Sequence, residues 1–365
     1  VRIGIDAVPL QKLQGGISYY IFYLLDELIR LRSEDSFFLF VETTTTDVEF
    51  FTKYTNVKIC PVSFCFLGHS IWSQTFLSYA CWRKKIDIFW GTTQSVPLLK
   101  KTNMKTFVTL YDFVYLICPE TTSIYRNIYF RCLVKKMLLK TNAILPISRG
   151  TGQKLEQFYQ LKFTAIVNPP LKPQIFFREG IDSFLKAHFL KFKQYIVVVG
   201  TLEPRKNFQQ LISVYLQSIE IYGLDRILPL VMIGGGGWKN EKLREMLTGT
   251  QQRYPSHFFV QGYITDDELA FFLSGARYYL MLSKYEGYGM PLAEARTCRT
   301  AVICLDQIEM KEAAEDDGIF LNSDEWEKEI VPYLLIDSEV QYPRKVLYES
   351  NQEKALRISE IIDQL

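Results

Sequence analysis

Short apolar runs alternate with longer amphipathic ones along this sequence, lapse once, and then resume. In the first stretch RIGIDAV, SFFLFVE, NVKICPV, IDIFW, KTFVTLYD and NAILPIS are near-continuous apolar runs. That is the pattern of strands buried on both faces of a parallel sheet. Between them lie segments of helical periodicity such as ISYYIFYLLDELIRL and IYRNIYFRCLVKKMLLK. Strand–helix alternation of this kind predicts a doubly wound α/β domain. From Val167 to Gln194 the pattern stops, and VNPPLKPQIFF, with its three prolines, reads as an extended connector. It resumes with YIVVVG, PLVMIGGGG, HFFVQGY, RYYLMLS and AVICLD as strands, each followed by a helical or glycine-rich stretch. The expected organisation is therefore two Rossmann-like domains in series, over 1–168 and 194–340. A linker over 169–193 joins them, and the tail over 341–365 reads as helical to its end and able to cross back to the first domain. Open α/β sheets bind ligands outside the carboxyl ends of their strands. Two such domains are expected to face one another across a cleft, with functional residues just after strands.

Composition narrows the class. The chain has 365 residues, 48% apolar and 22% charged, which fits two ordinary cores and excludes a disordered chain. The net charge of +2 hides an asymmetry: residues 1–190 carry 23 Lys+Arg against 14 Asp+Glu, densest in bases from Arg83 to Lys162. An anionic partner for the first half, a membrane surface or a charged substrate, is one reading. The seven cysteines show no CxxC spacing and read as reduced thiols of a cytoplasmic protein. The three histidines are dispersed, so no His-based metal site is expected. No apolar run reaches the roughly 20 residues of a membrane span. The opening VRIGIDA reads as a strand, with no leader peptide expected.

The residues that carry chemistry fall just after strands. KYEGYGMPLAEA, at 284–295, sets Glu286 on a loop and Glu294 about one turn into a helix that starts near Gly289, with Pro291 in its first turn. Gly287 and Gly289 let backbone N–H groups approach a ligand, and a helix N-terminus suits phosphate. An ionised carboxylate is a pure acceptor and suits hydroxyls. Amides for phosphate flanked by carboxylates for hydroxyls describe a nucleotide sugar, one glutamate holding ribose and the other the hexose. GTLEPRKN, at 200–207, places Arg205 and Lys206 where cations would clamp a diphosphate and stabilise charge on the leaving group. LQGGISYY, at 13–20, sets Gly15 and Gly16 before a helix, and VTLYDFVYLICPE sets Tyr111 and Asp112 after a strand. The glycines of IGGGGW, at 233–238, do not make a dinucleotide fingerprint, because Lys239 occupies the last glycine position; they read as a tight turn. No D-x-D motif stands at a strand end, and TDD at 265–267 reads as a helix cap.

With these residues in view, EGYGMPLAE resembles the E-x7-E motif of retaining GT-B glycosyltransferases, the family 4 group of mannosyl-, glucosyl- and related transferases. The resemblance is close from 195 to 322 and looser from 1 to 165. It implies that Glu294 binds ribose hydroxyls and that Glu286 holds a donor-sugar hydroxyl on the reacting face. It also implies that the backbone at Tyr288, Gly289 and Met290 contacts sugar and phosphates. The segment from Gly200 resembles the family's GxxxPRKN element, which assigns the donor phosphates to Arg205 and Lys206; Thr201 stands where some members carry a further arginine. By the same resemblance the Gly15–Gly16 loop lies over the phosphates and sugar. Tyr111 replaces a frequent histidine that contacts the donor sugar. Asp112 either contacts the acceptor or braces its loop.

The implied reaction moves a hexose, mannose or similar, from a GDP- or UDP-linked donor to a hydroxyl of a glycan or lipid-linked acceptor in envelope polysaccharide or O-antigen-type synthesis. The resemblance implies retention by front-face attack, without metal and with no cofactor besides the donor. Glu286, Arg205 and Lys206 would be the catalytic residues. The segment 124–140, with Arg126, Arg131, Lys135, Lys136 and Lys140 among large apolar residues, reads either as a sheet-covering helix or as a contact with the inner face of an anionic membrane. Nucleic acid is not an expected partner. The alternatives are a non-transferase enzyme of the same fold, such as a sugar-nucleotide epimerase, and a binding protein with a dead cleft.

Overall fold

The computed structural model describes residues 1–13, 15–42, 45–62, 69–100, 103–121, 124–236, 241–343 and 348–365. The chain divides into two compact units. One is Val1–Pro170 together with Tyr348–Leu365; the other is Leu171–Leu347.

The first unit is built on a six-stranded sheet, β1 (Arg2–Asp6), β2 (Ser36–Val41), β3 (Val57–Pro61), β4 (Ile88–Gly91), β5 (Lys105–Leu110) and β6 (Ala143–Pro146). Its order is β3-β2-β1-β4-β5-β6, and the pairs are parallel. The apolar runs sit in the sheet because both faces are covered: Ile3, Ile5, Phe37, Phe40, Phe89, Trp90 and Phe107 are all buried. The helix Gly16–Leu31 packs along the helix Asn351–Gln364. Arg32 at the end of the first helix donates to Ser359 Oγ at 2.9 Å and pairs with Asp363 at 2.7 Å. Buried Lys354 donates to the Pro169 carbonyl at 2.9 Å. The tail is less helical than its composition predicts. Its helix begins only at Asn351, where Ser350 and Glu353 form a reciprocal capping box.

The segment 124–140 also departs from expectation. It is not one regular helix: a π-helical turn over Phe130–Val134 separates Ile124–Tyr129 from Lys135–Leu139. One extra residue per turn leaves the amphipathic pattern readable while rotating the second half relative to the first.

The second unit repeats the architecture with β7 (Ile196–Val199), β8 (Leu230–Ile233), β9 (Phe258–Gln261), β10 (Tyr278–Met281), β11 (Ala301–Leu305) and β12 (Ile319–Leu321). The order is β12-β11-β10-β7-β8-β9, again parallel. Residues 171–193, read from sequence as connector, pack into this unit. Phe184, in the helix Asp182–Ala187, packs tilted against Phe271 and edge-on against Phe272 at ring-centre distances of 5.0 and 4.9 Å. Lys193 ties the segment to the Ala276 and Arg299 carbonyls. The prolines prevent regular structure locally without preventing burial of the side chains that follow.

Candidate active site

In the second sheet β7 lies between β8 and β10, so the chain leaves β7 toward one side and returns through β10 on the other. Loops diverge at such a switch point and open a crevice at the carboxyl ends of the strands. The loops after β7 and β10 carry the residues singled out in the sequence, and they are laced together. After Gly200 the chain forms a short 3₁₀ turn, Pro204–Lys206, followed by Asn207 in the left-handed region at φ +57°. Asn207 donates from Nδ2 to the Leu282 carbonyl at 2.7 Å, and Lys284 N donates to the Arg205 carbonyl at 2.8 Å. Arg205 also donates to the Tyr285 carbonyl. Gly234, after β8, packs so closely on the Gly200 backbone that a Cβ there would overlap the Gly200 carbonyl oxygen. The remaining glycine of the four-glycine run and Trp238 lie outside the described residues.

Glu286 is the centre of this crevice. Its Oε1 accepts from Lys206 Nζ at 2.6 Å and lies 2.8 Å from Arg205 NH1; all three side chains are largely buried. Burial works against the ionised carboxylate. The charges of Arg205 and Lys206 outweigh it and hold Glu286 down at about 2. Glu203 also pairs with Arg205, at 3.4 Å, so the cluster sets two carboxylates against two cations. Three positions on from Glu286, Gly289 adopts φ +106° and opens the helix Met290–Thr297, with Pro291 in its first turn and no side chain on Gly289 to cap it. A side chain at 289 would carry the strain of the left-handed region and press on Leu292. Tyr288 beside it is buried and Met290 half-buried.

Glu294 is buried in this helix, and no hydrogen bond among the described residues reaches its carboxylate. Burial pushes it up to about 7, with Lys172 pulling down and Asp266 pushing up. The two glutamates of one motif thus differ by environment: one is ionised by its cations, the other poised near neutrality. Asp266 pairs with Lys172 at 2.7 Å and Asp267 with Arg178, and Thr265 caps their helix in a capping box with Glu268.

Tyr279, on β10, went unremarked in the sequence. It is fully buried and its hydroxyl has no hydrogen-bond partner among the described residues. Burial, then the charges of Glu286 and Glu294, push that hydroxyl well above its ordinary range. A tyrosine in an apolar strand reads as core; only the strand's place beneath both glutamates marks it.

The first unit holds the other predicted residues. Gly15, at φ +92°, precedes the helix that Gly16 begins, and nothing crowds the position where its Cβ would stand. Tyr111, at the end of β5, is buried edge-on against Tyr20 with ring centres 5.4 Å apart, and its hydroxyl lacks a partner among the described residues. Asp112 accepts from Val114 N at 3.1 Å, bracing its own loop. Near them, at the β1/β4 switch point, buried Asp6 accepts from Thr93 Oγ1 at 2.9 Å, and Gln94 follows in the left-handed region at φ +58°. The signal for Asp6 was a lone acid closing an apolar strand. Gln94 had none.

Two six-stranded parallel sheets of this topology define the fold as that of the GT-B class. Solved structures agree over the full length. Sucrose-phosphate synthase from Thermosynechococcus elongatus matches with a TM-score of 0.69 at 14% identity, covering 100% of this chain and 98% of that one. WaaG, a glycosyltransferase involved in lipopolysaccharide biosynthesis, matches with a TM-score of 0.69 at 12% identity, covering 100% and 96%. Residues 182–329, within the second unit, match the family described as Glycosyl transferases group 1. Among curated relatives, O-antigen chain mannosyltransferase B of Escherichia coli is 26% identical over 220 residues, 59% of this chain and 56% of that protein. The alignment therefore spans little more than half of that relative's length. No helix among the described residues is long and apolar enough to cross a membrane.

Proposed function

We propose that the protein is a glycosyltransferase that moves a hexose, mannose or a similar sugar, from a nucleotide sugar to a hydroxyl of a glycan or lipid-linked acceptor in O-antigen-type polysaccharide synthesis. The observation that carries the reading is the contact of Arg205 and Lys206 with Glu286 at a sheet switch point, inside a glycosyl transferases group 1 domain. The mannosyltransferase relative supports the hexose and the pathway class.

In this reading Glu286 holds the two cations in place until the donor arrives. The pyrophosphate then takes over Arg205 and Lys206, which stabilise the charge left on the departing phosphate. Glu286, released from both cations but still ionised at neutral pH, accepts a hydrogen bond from a sugar hydroxyl. Glu294 accepts from the ribose, which needs its deprotonated form. The positive dipole end of the helix at Met290 suits the phosphates. Cationic side chains and a helix terminus supply the positive charge that a divalent metal supplies elsewhere, so transfer is proposed to be metal-independent. It is proposed to retain the anomeric configuration, the leaving phosphate accepting the acceptor's proton on the face where the new bond forms. GDP- and UDP-linked donors are the first to test.

The test is a thermal-shift series with GDP, UDP, ADP and dTDP, followed by transfer or donor-hydrolysis assays with the matching sugars in the presence of a chelator. A nucleotide at 100 times its Kd raises stability by about 2.7 kcal/mol. The reading fails if none of the four shifts the melt; it loses metal independence if the chelator abolishes turnover.

A further inference from the structure

The helix Phe208–Tyr222 lies on the surface of the second unit, yet its 15 residues include a single charged side chain, Glu220. An outward helix face is normally rich in charge, which solvates it and pairs across one turn. The neighbouring helix Glu241–Arg253 follows that habit, with Glu241, Lys242, Arg244, Glu245 and Arg253 all exposed. Inward, Phe208–Tyr222 buries Leu211, Ile212, Tyr215 and Ile219. Outward it presents carboxamides and a hydroxyl instead of charge. Gln209, Ser213 and Gln217 are four positions apart in succession, so they stand in one row along the helix, with Gln210 beside them.

This row walls a cavity of about 420 Å³. The other walls are Lys242 and Met246 of Glu241–Arg253 and Glu327 of the short helix Trp326–Glu329. Its size is within the ordinary range of small-ligand sites. Val214 and Met246 supply its apolar surface. No hydrogen bond or ion pair among the described residues reaches the side chains of Gln209, Gln210, Gln217, Lys242 or Glu327. Ser213 donates its hydroxyl proton to the Gln209 carbonyl at 3.0 Å, which leaves the Ser213 oxygen able to accept. The cavity shares no residue with the candidate active site.

We propose that this groove is a second, non-catalytic binding site for a neutral oligosaccharide. A carboxamide carries two N–H donors and a carbonyl acceptor on one planar group, and adjacent sugar hydroxyls offer the complementary set. Three carboxamides and a hydroxyl therefore match a run of hydroxyls better than they match a charge. An anionic ligand meets Glu327 and a cationic one meets Lys242, so one charge of each sign disfavours both. Val214 and Met246 suit the C–H face of a sugar ring. In an enzyme that extends a glycan, such a site keeps the chain bound between additions and raises the local concentration of its end. That the occupant is the enzyme's own glycan rests on the transferase reading; the affinity of the groove for saccharide does not.

Saturation-transfer NMR and titration calorimetry of the full chain with mannobiose and mannotriose test it, first without nucleotide and then with UDP or GDP in excess. Mannotriose is expected to bind in both conditions. Gln209→Ala/Gln217→Ala should weaken it at least about fivefold. Ser213→Trp, which fills the groove, should abolish it. Both variants should keep the parent's melting temperature and nucleotide-induced thermal shift, because the changes lie on a solvated helix face. Lys206→Ala should leave the saccharide affinity unchanged. The proposal is overturned by absence of saccharide binding, by binding that both groove variants retain, or by binding that excess nucleotide or Lys206→Ala removes. Nucleotide shifts without saccharide binding sink the groove alone; saccharide binding without any nucleotide shift sinks the transferase reading and leaves the groove.

Discussion

A carboxylate caught between a guanidinium and an ammonium, as Glu286 is, stays charged well below neutral pH. Its depressed value means that the ion cluster contributes stability above the ordinary glutamate range, lost as pH falls toward about 2. Glu286→Gln removes the carboxylate that Arg205 and Lys206 share, leaving Arg205 its longer pairing with Glu203, so it should cost about 3 kcal/mol in denaturant unfolding and slow sugar transfer more than it weakens nucleotide binding. Glu294 runs the other way. Its value is raised to about 7, so the folded state holds a proton that the unfolded chain has given up. Its contribution to stability therefore falls as pH rises from about 4.5 through 7, by at most about 3 kcal/mol. Glu294→Gln should stabilise the donor-free protein above pH 7 and weaken nucleotide binding, whereas the parent's nucleotide affinity should rise through pH 7; titration calorimetry at several pH values reads both. Tyr279→Phe removes a buried, unpartnered hydroxyl and should raise donor-free stability by about 1–2 kcal/mol in thermal melts. Glu286, Glu294, Arg205 and Lys206 were legible in the sequence because each pair is set by short local spacing. Tyr279 was not, since an unpaired hydroxyl is a property of its surroundings.

At the scale of elements, the strands and most helices followed from apolar periodicity, and Gly289 with Pro291 marked a helix start within one residue of Met290, where it begins. Asn207 shows what that kind of reading leaves out. Its bond to the Leu282 carbonyl exists because β10 pairs with β7, and strand order is set by non-local packing. The π-turn over 130–134 was hidden for a related reason: one inserted residue hardly alters a short amphipathic pattern. The loop that opens the helix at Met290 depends on a left-handed backbone. Gly289→Ala should therefore cost about 1–2 kcal/mol in unfolding and reduce nucleotide affinity, while Gly249→Ala, in open space within a helix, should not destabilise; paired melts compare them.

For the whole molecule, two compact units were readable from the lapse in alternation, but the destination of the last helix was not. Sequence shows an amphipathic tail; which unit it covers depends on Arg32 meeting Ser359 and Lys354 meeting the Pro169 carbonyl in space. The second unit is an unbroken run, Leu171–Leu347. Expressed alone it should give a cooperative melt, whereas 1–170 without 348–365 should melt lower and regain stability when a peptide of the missing helix is added. On a translating ribosome this reverses the usual order. The first unit must wait with a bare helix flank until residues 351–364 have emerged, by which time the second unit can already have closed around its own core.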